Sequence, residues 1–249
     1  MIRLPDRTVP EWLTVDALVR GRGESNGDEL AVEVAGRSLT YGELDRLSNQ
    51  AAANLAALGV KKGDRVATML YNSIEQILLF FGTVKIGAIW TPVNVSLVGL
   101  DLAHALTDSA PKVIVCDTET KPAIDALPQA TRENRLIFVV GDPGAERPVD
   151  SLFAETSAPV PKVGNEPHDP AVLIYTGGTT GLPKGVVLPH FAWIAASYRY
   201  CEAFDVRSDD RHYSVLPLLH VGGLMIGLLG PMVAGIPTYF ERWFSASRF

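Results

Sequence analysis

Cysteine is scarce in this chain: 249 residues hold two, Cys116 and Cys201. Nothing in that pattern reads as a disulfide scaffold or a metal site. Cys116, inside Lys112-Val-Ile-Val-Cys-Asp117, reads as a small apolar core residue of a strand. Basic charge is also in deficit, with 22 Lys and Arg against 28 Asp and Glu and a net charge of -6. A nucleic-acid binder held by electrostatics needs a basic face, so that class is excluded. There is no run of like charge, no internal repeat and no low-complexity block. The opening, Met1-Ile-Arg-Leu-Pro-Asp-Arg7, lacks an apolar signal region, and a cytoplasmic location is expected. One uncharged run, residues 221–240, has the length of a membrane-spanning helix. It carries five glycines together with Pro231 and Pro237, so a buried helix, a turn and a buried strand explain it better, and no membrane span is expected.

What is present is an ordinary globular composition, 47% hydrophobic and 20% charged, in a chain long enough to bury a core. Thr40-Tyr-Gly-Glu43 has the form of a capping box, with Thr40 capping a helix and Glu43 reaching back. Leu44, Leu47, Ala51, Leu55 and Leu58 follow at helical spacing, and Gly59 can take the left-handed stop. Ser73-Ile-Glu-Gln76 opens a second helix by the same chemistry, and Gly87 closes it. Strands are expected at 65–70, 88–91, 112–116, 136–140 and 171–175, with a further helix at 99–109. Residues 141–170, rich in Pro, Gly and acidic residues, read as an internal linker. The alternation predicts an α/β fold of mostly parallel sheets flanked by helices. A strand at 236–240 and a helix cap at Ser245 precede Phe249, and a helix ending within its first turn has little stability of its own. The expectation is therefore a chain cut within its fold.

The strongest local feature is Tyr175-Thr-Gly-Gly-Thr-Thr-Gly-Leu-Pro-Lys184-Gly185, between apolar runs at 171–175 and 186–188. Gly177, Gly178 and Gly181 let the backbone curl and bring its amides close to a ligand. Thr176, Thr179 and Thr180 add hydroxyl donors, and Lys184 adds a positive charge. These are the parts of a phosphate cradle. A Walker loop is excluded because Pro183 precedes Lys184 and Gly185 follows it. A dinucleotide fingerprint is also absent from the loop. On composition alone, a tight hairpin whose glycines serve geometry remains an alternative. A second pattern, Gly23-Glu-Ser-Asn-Gly27, matches a hydrolase nucleophile elbow in spelling, but a helical pattern precedes it and a strand pattern follows, the reverse of what that chemistry needs.

Taken as an ordered string, Thr176-Gly-Gly-Thr-Thr-Gly-Leu-Pro-Lys-Gly185 closely resembles the signature of the adenylate-forming (AMP-binding) superfamily, which includes acyl-CoA synthetases, luciferase-like ligases and peptide-synthetase adenylation domains. Three more segments resemble that family in the expected order. They are Leu39-Thr-Tyr-Gly-Glu-Leu44, then Val84-Lys-Ile-Gly-Ala-Ile-Trp-Thr-Pro-Val-Asn94, then Leu216-Pro-Leu-Leu-His220-Val-Gly-Gly223. The resemblance runs from about residue 12 to the end. Gly177 stands where the commonest family pattern has Ser, so weaker or differently shared phosphate contacts are expected there.

The resemblance implies an acid–CoA ligase of fatty acid metabolism that forms an acyl-adenylate from a carboxylate and ATP and then an acyl-CoA. It assigns Thr176, Gly177, Gly178, Thr179, Thr180, Gly181 and Lys184 to ATP, and His220, Val221, Gly222 and Gly223 to the acid pocket. Lys184, Thr179 and His220 become the catalytic candidates and Thr180 the candidate metal contact, with Mg²⁺ bridging phosphate oxygens and coenzyme A as co-substrate. Without the resemblance, a lone His beside an apolar run is an ordinary core residue, and Tyr213 and Trp193 read as packing residues. Residues 1–249 would form an incomplete N-terminal domain, with a subdivision into 1–165 and 166–249. Past residue 249 the resemblance implies an aromatic-Gly-x-Thr-Glu segment, a ribose-binding Asp, a hinge and a small C-terminal domain with a catalytic Lys. The isolated chain is accordingly expected to be inactive. Expected partners are ATP and a small or aliphatic carboxylic acid, with a homodimer open. Two other readings stay open: a non-catalytic remnant that binds nucleotide or a partner, and an adenylating enzyme that loads a carrier protein.

Overall fold

The computed structural model describes residues 2–176 and 181–245. A short antiparallel pair, β1 (Ile2–Arg3) and β2 (Thr8–Val9), leads into helix α1 (Val15–Ser25), whose cap Thr14 accepts the Ala17 N–H at 3.4 Å. Strands β3 (Leu30–Val34) and β4 (Arg37–Thr40) form a hairpin turned by Ala35 and Gly36, both at positive φ. Such a turn matches the natural twist of paired strands. Helix α2 (Tyr41–Ala57) opens with the expected capping box: Thr40 Oγ1 accepts the Glu43 N–H at 3.2 Å, and Glu43 Oε2 accepts the Thr40 N–H at 2.9 Å. Gly59 follows the helix end at φ 87°.

A repeated strand–helix rhythm comes next. It runs through β5 (Arg65–Met69), α3 (Ile74–Lys85), β6 (Ile89–Pro92), α4 (Gly99–Ser109) and β7 (Val113–Asp117). Ser73 caps α3 by accepting the Gln76 N–H at 3.1 Å. The reciprocal half of that box does not form, and among the described residues the buried Gln76 amide has no partner. At the other end of α3, Lys85 is buried against α2, where Asp45, Ser48 and Asn49 accept from its ammonium at 2.6–2.9 Å. Burial lowers its pKa to about 8, against the opposing pull of Asp45.

Two short helices, α5 (Lys121–Asp125) and α6 (Gln129–Arg132), lead to β8 (Leu136–Val140) and the two-residue β9 (Arg147–Pro148). Helix α7 (Asp150–Phe153) buries Leu152 against α2. The stretch read as a linker is therefore partly structured: it supplies an edge strand and a core residue. Strand β10 (Pro170–Thr176) and β11 (Lys184–Pro189) then form an antiparallel pair ahead of α8 (His190–Ala203). Strand β12 (His212–Ser214), a π-helix (Gly223–Leu229), α9 (Gly230–Ala234) and β13 (Thr238–Phe240) complete the described chain.

The main sheet has seven strands in the order β11-β10-β6-β5-β7-β8-β9, parallel except for β11. A second sheet of four runs β12-β13-β3-β4, with only the β3–β4 pair antiparallel. Both sheets draw strands from either side of residue 165. The α/β architecture with mostly parallel sheets is the one expected. The uncharged run at 221–240 resolves into the π-helix, α9 and β13, with Gly235 at φ 73° making the turn. Among the described residues no helix is long and apolar enough to cross a membrane.

Candidate active site

The order of the main sheet dictates where a ligand can sit. From β5 the chain passes through α3 to β6 on one side, then through α4 to β7 on the other. The connections part at the carboxyl ends of β5, β6 and β7 and leave a crevice there, the usual place for ligands in open α/β sheets. Strand β10 runs parallel to β6, so the loop after Thr176 emerges at the same edge.

That loop is held at its base by strand pairing, with Thr176 opposite Lys184 and Tyr175 opposite Gly185. The Thr176 hydroxyl donates to the Lys184 carbonyl at 3.4 Å. A side chain at 185 would meet the Tyr175 ring at 3.2 Å and the Leu173 methyl at 2.9 Å, so glycine lets these two side chains lie close over the strand. Helix α4 braces both flanks: Tyr175 donates its hydroxyl proton to Asp108 at 2.6 Å, and His104 Nε2 donates to the Pro183 carbonyl at 3.0 Å. Burial, reinforced by the Asp108 carboxylate, raises the Tyr175 pKa above the ordinary phenol value and keeps it a donor. Lys184 is exposed and, among the described residues, has no carboxylate partner. Gly181 sits at φ 130°, a conformation reserved for glycine. Gly177, Gly178, Thr179 and Thr180 lie outside the described residues.

His220 stands in the segment after β12. Its N–H donates to the Pro217 carbonyl at 3.0 Å, and its own carbonyl accepts the Leu224 N–H at 3.0 Å. The side chain is exposed and lines two neighbouring clefts. One, of ≈ 360 Å³, runs past Ile174, Tyr175 and Thr176 and includes Val221 and Gly222. The other, of ≈ 280 Å³, is walled by Leu70, Tyr71 and Trp243 and reaches Arg242. The structure thus brings His220, Val221, Gly222 and Thr176 together. Gly223 does not line either cleft; it is buried, and a Cβ there would lie 2.0 Å from the Pro217 carbonyl oxygen.

Asn72 was not singled out from the sequence. It is 4% exposed and ties β5 to the segments that follow β12 and β13. Its Nδ2 donates to the Leu216 carbonyl at 3.1 Å and the Glu241 carbonyl at 2.9 Å, while Oδ1 accepts the Leu218 N–H at 2.7 Å. Its own N–H donates to the Arg242 carbonyl at 3.2 Å. Arg242 in turn stacks over Tyr71 and Trp243, 5.1 and 4.9 Å from their centroids, and pairs with Glu119. A polar residue between a strand and a Ser-capped helix was the only signal available for Asn72.

Other sequence readings are settled differently. Trp193 is a packing residue as expected, but Tyr213 is 53% exposed and donates its hydroxyl to Glu241 at 3.0 Å. Ser25 ends α1 and donates to the Gly21 carbonyl at 2.7 Å, so the hydrolase pattern has no strand–turn–helix beneath it. Among the described residues no group of three or more His, Cys, Asp or Glu side chains could hold a metal ion.

The base of a glycine-rich segment at the end of a parallel strand and the His220 segment thus border one crevice at the carboxyl edge of an open α/β sheet, the edge at which such sheets bind ligands. The AMP-binding enzyme family matches residues 19–248, and the chain belongs to that family. It is 36% identical over 196 residues to the long-chain-fatty-acid–CoA ligase FadD13 of Mycobacterium tuberculosis. That match takes in 78% of this chain and 38% of the relative, so the chain spans well under half the length of that protein. The inhibitor-bound N-terminal domain of FACL13 from Mycobacterium tuberculosis superimposes with a TM-score of 0.83 at 30% identity, over 94% of this chain and 58% of that one. ATP-bound MatB from Rhodopseudomonas palustris does so with a TM-score of 0.82 at 26% identity, over 95% of this chain and 46% of that one.

Proposed function

We propose that the protein carrying this chain activates a carboxylic acid with ATP. A carboxylate oxygen attacks the α-phosphorus, the bond to pyrophosphate breaks, and pyrophosphate leaves with its electron pair. The product is an acyl-adenylate. A thiol, that of coenzyme A, then attacks the acyl carbon, loses its proton and releases AMP. The observation that carries this reading is the single crevice shared by the base of the glycine-rich loop and the His220 segment, at the carboxyl ends of β5, β6 and β10.

In this reading Thr176, Gly177, Gly178, Thr179, Thr180, Gly181 and Lys184 hold the phosphates. The pairing of β10 with β11 supports it, since that pairing sets both ends of the loop at the crevice. Lys184 offsets the charge that grows on the departing pyrophosphate, a task of positioning and electrostatics. Its lack of a described carboxylate partner leaves its charge available. His220, Val221 and Gly222 face the acid, and Gly223 lets their segment fold tightly over Pro217. Leu219 and Val221 line the clefts and favour an aliphatic acid, whereas Leu218 and Leu224 belong to the core. The described residues offer no carboxylate cage for Mg²⁺. A divalent ion would therefore arrive with the nucleotide, held mainly by phosphate oxygens, with Thr180 as the candidate contact.

The test is calorimetric binding of Mg-ATP to this chain beside a Thr179→Ala, Lys184→Ala double variant. Hydrogen bonds to charged groups contribute about 1.5–3 kcal/mol each, so the double change is expected to weaken binding by at least about tenfold. Equal affinity in the two proteins would refute the phosphate role.

A further inference from the structure

Asn94 closes the second motif read from the sequence, and nothing above gives it a role. It follows β6 at the carboxyl end of the main sheet. Its backbone carbonyl accepts the Leu97 N–H at 3.0 Å, and its Oδ1 accepts the Ser96 N–H at 2.9 Å. This turn, closed by the side chain on its own backbone, fixes the orientation of the amide. Oδ1 is thereby used inside the protein, and Nδ2 is the group left to meet a ligand. Among the described residues Nδ2 has no partner.

The position of Asn94 is special in a second way. Three residues line both clefts of the crevice: Asn94, Leu219 and His220. They form the neck between the cleft that runs to Thr176 and the cleft walled by Tyr71 and Trp243. Leu219 is apolar, so His220 and Asn94 are the polar side chains of the neck. An acid lying in the cleft walled by Tyr71 and Trp243 reaches a phosphate near Thr176 through this neck, with its carboxylate leading. One carboxylate oxygen attacks, and the other needs a donor that holds the group in line. A neutral amide N–H supplies that donor without adding a full charge at the neck.

We propose that Asn94 is a substrate-contacting residue whose Nδ2 donates a hydrogen bond to the carboxylate of the acid. The contact deepens the acid-activation reading and rests on it for the identity of the reacting group, but acid binding itself can be measured without nucleotide.

The experiment uses this chain, ¹⁵N-labelled, titrated with decanoate, butyrate and benzoate, with and without Mg-ATP. The Asn94 side-chain amide pair, assigned by its loss in Asn94→Ala, is followed by NMR. The expected result is a saturable shift of that pair with at least one acid. The decisive variant is Asn94→Asp, which keeps the shape and the bond to the Ser96 N–H but replaces the donor with a carboxylate. It is expected to weaken acid binding by at least about tenfold in the absence of nucleotide, while thermal stability stays within error. Asn94→Asp that binds acid as the parent does would overturn the contact and leave Asn94 a turn residue. Mg-ATP binding with an Asn94 amide that ignores every acid overturns the contact alone. Acid binding that moves the Asn94 amide, with no Mg-ATP binding, overturns the phosphate-holding role given to this chain's own residues and leaves the contact standing. A folded chain that binds neither overturns both.

Discussion

Replacing Asn72 with alanine is a sharp test of how the crevice is held together. The change removes the partner of the Leu218 N–H and of the Leu216 and Glu241 carbonyls. An unpaired buried polar group costs about 1–3 kcal/mol. The bond to the Leu218 N–H is buried, whereas the two carbonyls are partly buried and can recover some hydration. A total of about 3 kcal/mol follows, which for a domain of this size corresponds to about 6–12 °C in Tm. The assay is urea denaturation, read as a lower midpoint at unchanged slope, because the surface exposed on unfolding stays the same. Asn72→Asp sharpens the test. It keeps an acceptor for the Leu218 N–H but sets carboxylate oxygens against two carbonyl oxygens, so it should be no more stable than the alanine variant. A loss below about 1 kcal/mol in Asn72→Ala, or a wild-type midpoint in Asn72→Asp, would refute the argument that this one amide joins the two sheets.

Two further expectations concern the same molecule at other points. Adjacent glycines of the His220 segment should respond with opposite sign. Gly222→Ala has room, with the nearest atom Leu216 Cδ1 at 3.5 Å, and its helical backbone should gain about 0.5–1 kcal/mol. Gly223→Ala meets the Pro217 carbonyl at 2.0 Å and should lose at least about 1–3 kcal/mol, as overpacking does. Thermal melts of the pair showing the same sign would contradict the close approach. The thiols of Cys116 and Cys201 are both pushed up to about 12, in each case mainly by burial. Folded protein at pH 8 should therefore resist a thiol reagent that modifies both groups in guanidinium. Because the folded pKa values lie above the unfolded one, the stability these thiols contribute is complete below about pH 9. It is lost as pH rises from there towards 12. Rapid modification at pH 8 without unfolding would show that the thiols are accessible.

Local chemistry was the legible part of this sequence. Thr40 and Glu43 form both halves of their box because each reaches the other within one turn, and Gly59 and Gly87 take positive φ where a stop was needed. The apolar runs on both sides of the glycine-rich stretch were likewise visible as strands, whereas their antiparallel pairing stood only as an alternative. What the pattern could not convey was partnership over distance. β13 pairs with β3 across about two hundred residues, and no spacing rule links Thr238 to Val32. The two-residue β9 is too short to carry a period, so its segment read as linker. The run 223–229 has the apolar character of a core helix, and nothing in its composition separates a π turn from an α turn. The two asparagines of the crevice illustrate the same limit. Asn72 and Asn94 gain their meaning from carbonyls, N–H groups and clefts assembled by distant strands.

The pairing of Thr176 with Lys184 also constrains the glycine-rich loop in a way its composition does not. Neighbouring residues of a strand point to opposite faces of the sheet. Removing or adding one residue between 177 and 183 would leave the strands two choices. They could slip by one step, turning Lys184 and every side chain of β11 to the other face, or keep their register and strain the loop. Either outcome misplaces the charge relative to the crevice. If this segment holds phosphates as proposed, its length matters as much as its chemistry, and single-residue insertions or deletions should be far more damaging than most substitutions within it.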